Sequence, residues 1–202
     1  MKNIRIVLYA WIICTLYVSE AFAQPDSITI KLTASGKQGQ SIVIPLEFGI
    51  KKGATNGLDE SLGERNRFHG FPPSGLDARF VFRDSVLEKN IYTYKDFRNF
   101  ENTTRFTKKF SLGIAPGVTR QGDPNDNYKE FYFRWETLSP YIDSARILDR
   151  FDGAVININL KDGNEYLYTN ELIDNLEIIV HFNMMPTSSS AQEQDKSDRS
   201  KG

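Results

Sequence analysis

Carboxylates are the first chemistry this chain suggests. Asp59, Glu60, Glu64, Asp77, Glu130 and Glu136 could supply the paired acids of a glycoside hydrolase, although no spacing singles out a pair. Histidine is scarce. His69 lies in a Gly/Pro-rich stretch, and His181 alternates with apolar residues as the outward position of a strand. Neither stands at a ligand spacing such as H-x-x-x-H, so no metal is expected. Asp123-Pro124-Asn125-Asp126-Asn127 opens like a calcium loop, but Tyr128 and Arg134 stand where an EF-hand needs Gly and Glu. It reads first as a solvated turn, with a looser calcium site at a β–β loop as the alternative. No G-x-S-x-G frames a serine nucleophile, and Pro73-Ser74-Gly75 lacks a strand-to-helix context. The aromatic residues Tyr92, Tyr94, Tyr128, Tyr132 and Trp135 could stack on sugar rings. Trp135, however, shares parity with Phe131 and Phe133, which favours the core. No catalytic residue and no cofactor is expected.

Those side chains must be carried by an exported scaffold. Lys2 and Arg5 precede an uncharged apolar run, Ile6 to Val18, and Ala21-Phe22-Ala23 is a small-x-small cleavage site. Residues 1–23 therefore read as a signal peptide, with the mature chain starting at Gln24. The run is too short to span a bilayer, so no transmembrane segment is expected in the mature chain. The only cysteine, Cys14, sits inside that leader, which leaves no disulfide and no thiol ligand. Removing Lys2, Arg5 and Glu20 leaves 23 basic and 25 acidic residues. That near-balance gives no electrostatic reason to expect nucleic acid as a partner.

Period-2 alternation dominates the mature chain. Ile28, Ile30, Leu32 and Ala34 share one face, as do Ile42, Ile44, Leu46 and Phe48. Pro45 marks the second stretch as an edge strand or a bulge. Further strands are predicted over 78–82, 91–100, 103–114, 129–135, 142–148, 154–160, 165–169 and 176–182. Asp152-Gly153 and Asp162-Gly163 supply tight turns. Lys51 to Leu76 reads as one long loop, and long ordered loops are usually functional or structurally specialised. Residues 187–202 are Ser-rich and charged, a tail expected to be disordered. Eight to ten short strands and no helix longer than two turns predict a single all-β domain over 24–186. The expected fold is an immunoglobulin-like antiparallel β-sandwich.

Two strings then stand out: Gly57-Leu58-Asp59-Glu60-Ser61-Leu62-Gly63-Glu64 and Phe71-Pro72-Pro73-Ser74-Gly75-Leu76-Asp77-Ala78-Arg79-Phe80. Together with Phe48-Gly49 they resemble the "F-G…G-L-D…L-G-E…P-P-x-G…D-A-R-F" run of a β-sandwich module in exported proteins of the Bacteroidetes/Chlorobi lineage. Many of those proteins are clients of the type IX secretion system. Asp96-Phe97-Arg98 and the 135–139 segment look like later landmarks, so the resemblance spans residues 27–183. It implies an exported β-sandwich without catalytic residues. The polar tail leaves no room for the sorting domain of large clients, so Sec export to the periplasm or surface is expected equally. Asp26-Ser27-Ile28, Asp84-Ser85-Val86 and Asp143-Ser144-Ala145 look like the O-glycosylation acceptors of such proteins, and Asn102-Thr103-Thr104 fits N-x-[ST].

Physically, Asp59, Gly63, Glu64, Pro72, Pro73, Gly75, Asp77 and Arg79 would fix a loop on the scaffold. Asp77 and Arg79 could tie the loop down through a charge-assisted bond, Arg79 being able to grip a carboxylate such as Asp59 or Glu64. The leading expectation is a non-enzymatic binding or structural module of the cell envelope or extracellular space. It would be periplasmic, on the cell surface or secreted, and would contact a protein partner through loops or an edge strand. The alternative is carbohydrate binding through Tyr94, Tyr132 and Trp135, which needs those rings exposed on one flat face. A carboxylate-dependent hydrolase needs two acids in a cleft near residues 51–76.

Overall fold

The computed structural model describes residues 25–36, 42–67, 76–85, 88–115, 130–170 and 172–185. The leader, the tail, His69, Pro72, Pro73, Gly75, the 123–127 string and Tyr128 lie outside them. Among the described residues, alternation of apolar and polar residues becomes eleven strands: β1 Ser27–Gly36, β2 Val43–Lys51, β3 Asp77–Asp84, β4 Lys89–Thr93, β5 Lys95–Arg98 and β6 Arg105–Ala115, then β7 Phe131–Trp135, β8 Ile142–Asp149, β9 Asn157–Asn159, β10 Glu165–Tyr168 and β11 Asn175–Asn183. The only helical element among the described residues is one 3-10 turn, Glu60–Leu62.

The strands form two sheets, ordered β10-β7-β1-β2-β5 and β4-β3-β6-β11-β8-β9. Their inward faces share one core, so the fold is an all-β sandwich. Phe48 of the five-stranded sheet meets Phe80 and Phe110 of the other, with ring centroids 5.3 and 5.0 Å apart. Phe131, Phe133 and Tyr168 form a second aromatic group. Burying each such ring is worth roughly 1.5–3 kcal/mol, which lets a disulfide-free domain hold together. Gly49 permits the close approach of β1 and β2. It sits at φ +143°, and a Cβ there would lie 2.1 Å from the Ile28 carbonyl oxygen.

Two expectations need correction. The stretch 91–100 is not one strand: the chain leaves the six-stranded sheet after β4 and enters the five-stranded sheet as β5, with Tyr94 at the crossing. Because β5 arrives from the opposite sheet, it runs parallel to β2, from Glu47↔Lys95 to Ile50↔Arg98. The sandwich is therefore not wholly antiparallel. Pro45 does not mark a terminal strand either, since β2 lies between β1 and β5. β5 covers β2 only from Glu47 onward. The Glu47 amide donates to the Tyr94 carbonyl, so odd-numbered residues of β2 turn their main chain to that flank. Pro45 thus places its missing N–H on the uncovered part of the flank, where proline costs no ladder bond.

Candidate functional site

The G-L-D-x-x-L-G-E string builds a clasp across the side of the sandwich where β4 and β5 end the two sheets. Asp59 organises the local turn: its carboxylate accepts the Thr55 amide at 2.6 Å and the Thr55 hydroxyl at 3.0 Å. The 3-10 turn follows, and Gly63 ends it at φ +86°, a conformation that favours glycine. That reversal sends Glu64 inward, where it is fully buried. Its two oxygens accept the Asp59 amide at 2.8 Å and the Phe97 amide of β5 at 2.6 Å. The Leu58 amide donates to Asp84 of β3 at 3.0 Å. Asn66 accepts the Tyr92 amide of β4, and the Arg67 amide donates to the Tyr92 carbonyl at 2.7 Å. The loop thus ties strands of both sheets together.

Beside Glu64, Arg98 donates one hydrogen bond to the buried Asp96 carboxylate at 2.8 Å, and its Nε lies 2.7 Å from the other oxygen as a charge contact. Arg98 also donates to the Asn56 carbonyl at 2.9 Å and lies over the Phe82 ring. Burial pushes the Glu64 carboxyl up to about 7 against the pull of its two amide donors. Burial likewise raises Asp96 to about 6, although Arg98 opposes it. Two acids of raised pKa side by side are the signature of acid–base machinery. Here, however, Glu64 and Asp96 are 0 % and 1 % exposed, and their oxygens are engaged by backbone amides and a guanidinium. A substrate would have to break the clasp to reach them, so their placement favours a structural lock over hydrolysis.

Arg79 does not grip Asp59 or Glu64. It pairs with Asp77, two residues away on the same face of β3, and that short connection needs no loop to be ordered first. Tyr94 covers the pair. Its hydroxyl donates to Asp77 at 3.4 Å, and the Arg79 and Arg67 guanidiniums lie 5.7 and 5.0 Å from its ring centre.

The three candidate glycan contacts share no platform. Trp135 is buried and donates its indole N–H to the Leu160 carbonyl at 2.8 Å. Tyr132 points outward from the same strand beneath Arg134. Tyr94 is at the β4–β5 crossing between the two sheets, on the far side of β1 and β2 from β7. His181 faces outward, as its alternation predicts, and its Nδ1 lies 2.7 Å from the Thr107 hydroxyl. Among the described residues, no group of three or more His, Asp or Glu side chains is placed to hold a metal ion.

No family model, curated protein or solved structure matches this chain. Its geometry therefore has to speak for itself, and the sheet edges are the informative part. Of the four terminal strands, β4 is bonded by Asn66 and Arg67, and β5 by Glu64. β9 is three residues long, and its Asn159 carbonyl accepts the Asp162 amide. β10 differs. The Trp135 amide donates to the Asn164 carbonyl, which fixes the alternation: Asn164, Tyr166 and Tyr168 turn their main chain to β7. Glu165, Leu167 and Thr169 turn theirs away from it. Among the described residues, nothing bonds to that outward row. Leu167 is 36 % exposed, while Glu165 is neutralised by Arg134.

Sequence reasoning placed Asp59, Gly63 and Glu64 together but missed the Phe97 amide that Glu64 accepts, the Asp84 carboxylate that holds Leu58 and the Asn66 side chain that holds Tyr92. It also missed the open edge of β10. The edge leaves no local signal, because its outward row is defined by where β7 pairs.

Proposed function

We propose that this protein is an exported, non-enzymatic binding module of the cell envelope or extracellular space, and that it takes up an extended partner segment along β10. The observation that carries this reading is the contrast between edges. Charged and polar side chains close the β4 and β5 edges, and a proline blunts the uncovered flank of β2. Among the described residues, the β10 row at Glu165, Leu167 and Thr169 is left without main-chain partners. Natural sheets usually protect such rows, and strand addition is the interaction an unprotected row supports. Export is supported by the leader motif and by the resemblance of the G-L-D…D-A-R-F strings to exported β-sandwich modules. No helix among the described residues is long and apolar enough to cross a membrane.

A photo-reactive residue at position 167, in protein produced in its native envelope, tests the reading. The expected outcome is one dominant cross-linked product, lost on Glu165→Pro and kept on Val43→Pro. Equal cross-linking from positions 43 and 167 would contradict it.

A further inference from the structure

We propose that the strand completing β10 is β10 of a second copy of this chain, paired antiparallel about a twofold axis at Leu167. The inference rests on the strand-addition reading above and names its occupant. A symmetric antiparallel pair forms when the outward row meets itself. Centred on Leu167, the two Leu167 residues exchange both main-chain bonds, and Glu165 of each copy meets Thr169 of the other. Every outward donor then finds an acceptor.

Among axes that pass through an outward residue, side-chain chemistry selects this centre; an axis at Tyr166 or Tyr168 would instead set Leu167 opposite Glu165 or Thr169 and not against its own copy. Centring on Glu165 would set carboxylate against carboxylate across the axis, and directly opposed like charges destabilise a sheet pair. Centring on Thr169 would place the axis itself beyond the strand, which ends at Tyr168, and would no longer oppose the two exposed leucines. Centring on Leu167 sets the exposed leucine against its own copy and leaves Glu165, already paired with Arg134, opposite a neutral threonine. The product is a continuous sheet of two five-stranded halves.

Four residues with one exposed apolar side chain offer a foreign peptide little to read. In a homodimer that one side chain is used twice. Such dimers have isologous interfaces, in which one patch is complementary to itself.

Cysteine scanning tests this directly, because the chain from Gln24 onward contains no cysteine of its own. Residues opposed in a hydrogen-bonded antiparallel pair have Cα atoms about 5.5 Å apart, within the span of a disulfide. Under mild oxidation, Leu167→Cys should give covalent dimers. Glu165→Cys and Thr169→Cys should each fail alone and cross-link when mixed. Sedimentation of the unsubstituted protein should show a concentration-dependent dimer. Leu167→Pro should weaken it at least about tenfold, and Leu167→Lys should make the remaining association rise with salt.

A chain that stays monomeric at submillimolar concentration would overturn the proposal. So would dimers that cross-link as well through Glu165→Cys alone. A monomer that still captures an envelope protein through position 167 would overturn self-pairing and leave the strand-addition reading standing.

Discussion

Glu64 carries more of the clasp than its single charge suggests. Both its oxygens accept amides, one from the loop and one from β5. Glu64→Gln keeps the shape but turns one acceptor into a donor facing an N–H. It should destabilise the fold by about 1–3 kcal/mol, the cost of an unsatisfied buried group, as read by urea denaturation. Raised pKa values of Glu64 and Asp96 mean that the folded chain holds those protons more tightly than the unfolded chain. Their contribution is full below the ordinary values of 4.5 and 3.8, and is lost as pH rises through about 7 and about 6. Asp149 runs the other way: amides of Ile156, Val155 and Phe151 hold its carboxyl below the usual range. Its contribution is present above about pH 3.8 and is lost as the pH falls. Thermal scans should therefore show a melting temperature that falls from about pH 4 to 7, and Asp96→Asn should flatten the lower part of that fall, up to about pH 6. An unchanged slope in the variant would contradict the assignment. Gly49→Ala should cost on the order of 3 kcal/mol or more, since both the φ angle and the Ile28 carbonyl forbid a Cβ.

At the scale of elements, alternation revealed most of the strands. Ile28 to Ala34 and Phe131 to Trp135 bury the residues their parity assigns. The sheet switch at Tyr94 was not legible, because residues 91–98 keep a strand-like composition while the hydrogen-bonding partner changes from β3 to β2. Arg79 pairs with Asp77 and not with Asp59 or Glu64, for a related reason. A local partner at i−2 was available, and sequence separation says nothing about which carboxylate is nearer. The clasp makes a prediction for its strands. In Glu64→Ala, the Phe97 amide should exchange with solvent faster, while the Tyr92 amide, held by Asn66, should change much less. Equal acceleration at both would mean that the loop opens as one unit and that Glu64 is not the local latch.

Across the whole molecule, two sheets share a sealed aromatic core while their edges are treated unequally. Trp135 is the only tryptophan after the leader, and its indole is held on the Leu160 carbonyl inside the fold. Its fluorescence should be blue-shifted and should not respond to polysaccharide; a ligand-dependent shift would revive the glycan reading. The distinction between closed and open edges could not be read from residue types, since Glu165-Tyr166-Leu167-Tyr168 resembles any half-buried strand. It exists only once β7 has fixed which main-chain groups face outward. The measurement that tests this asymmetry most directly is amide hydrogen exchange at residues 165–169, comparing dilute purified protein with protein in its native envelope. The account predicts fast exchange at Glu165, Leu167 and Thr169 in isolation and strong protection of those alternate amides in the envelope. Unchanged exchange there, with protection appearing on another face, would contradict it.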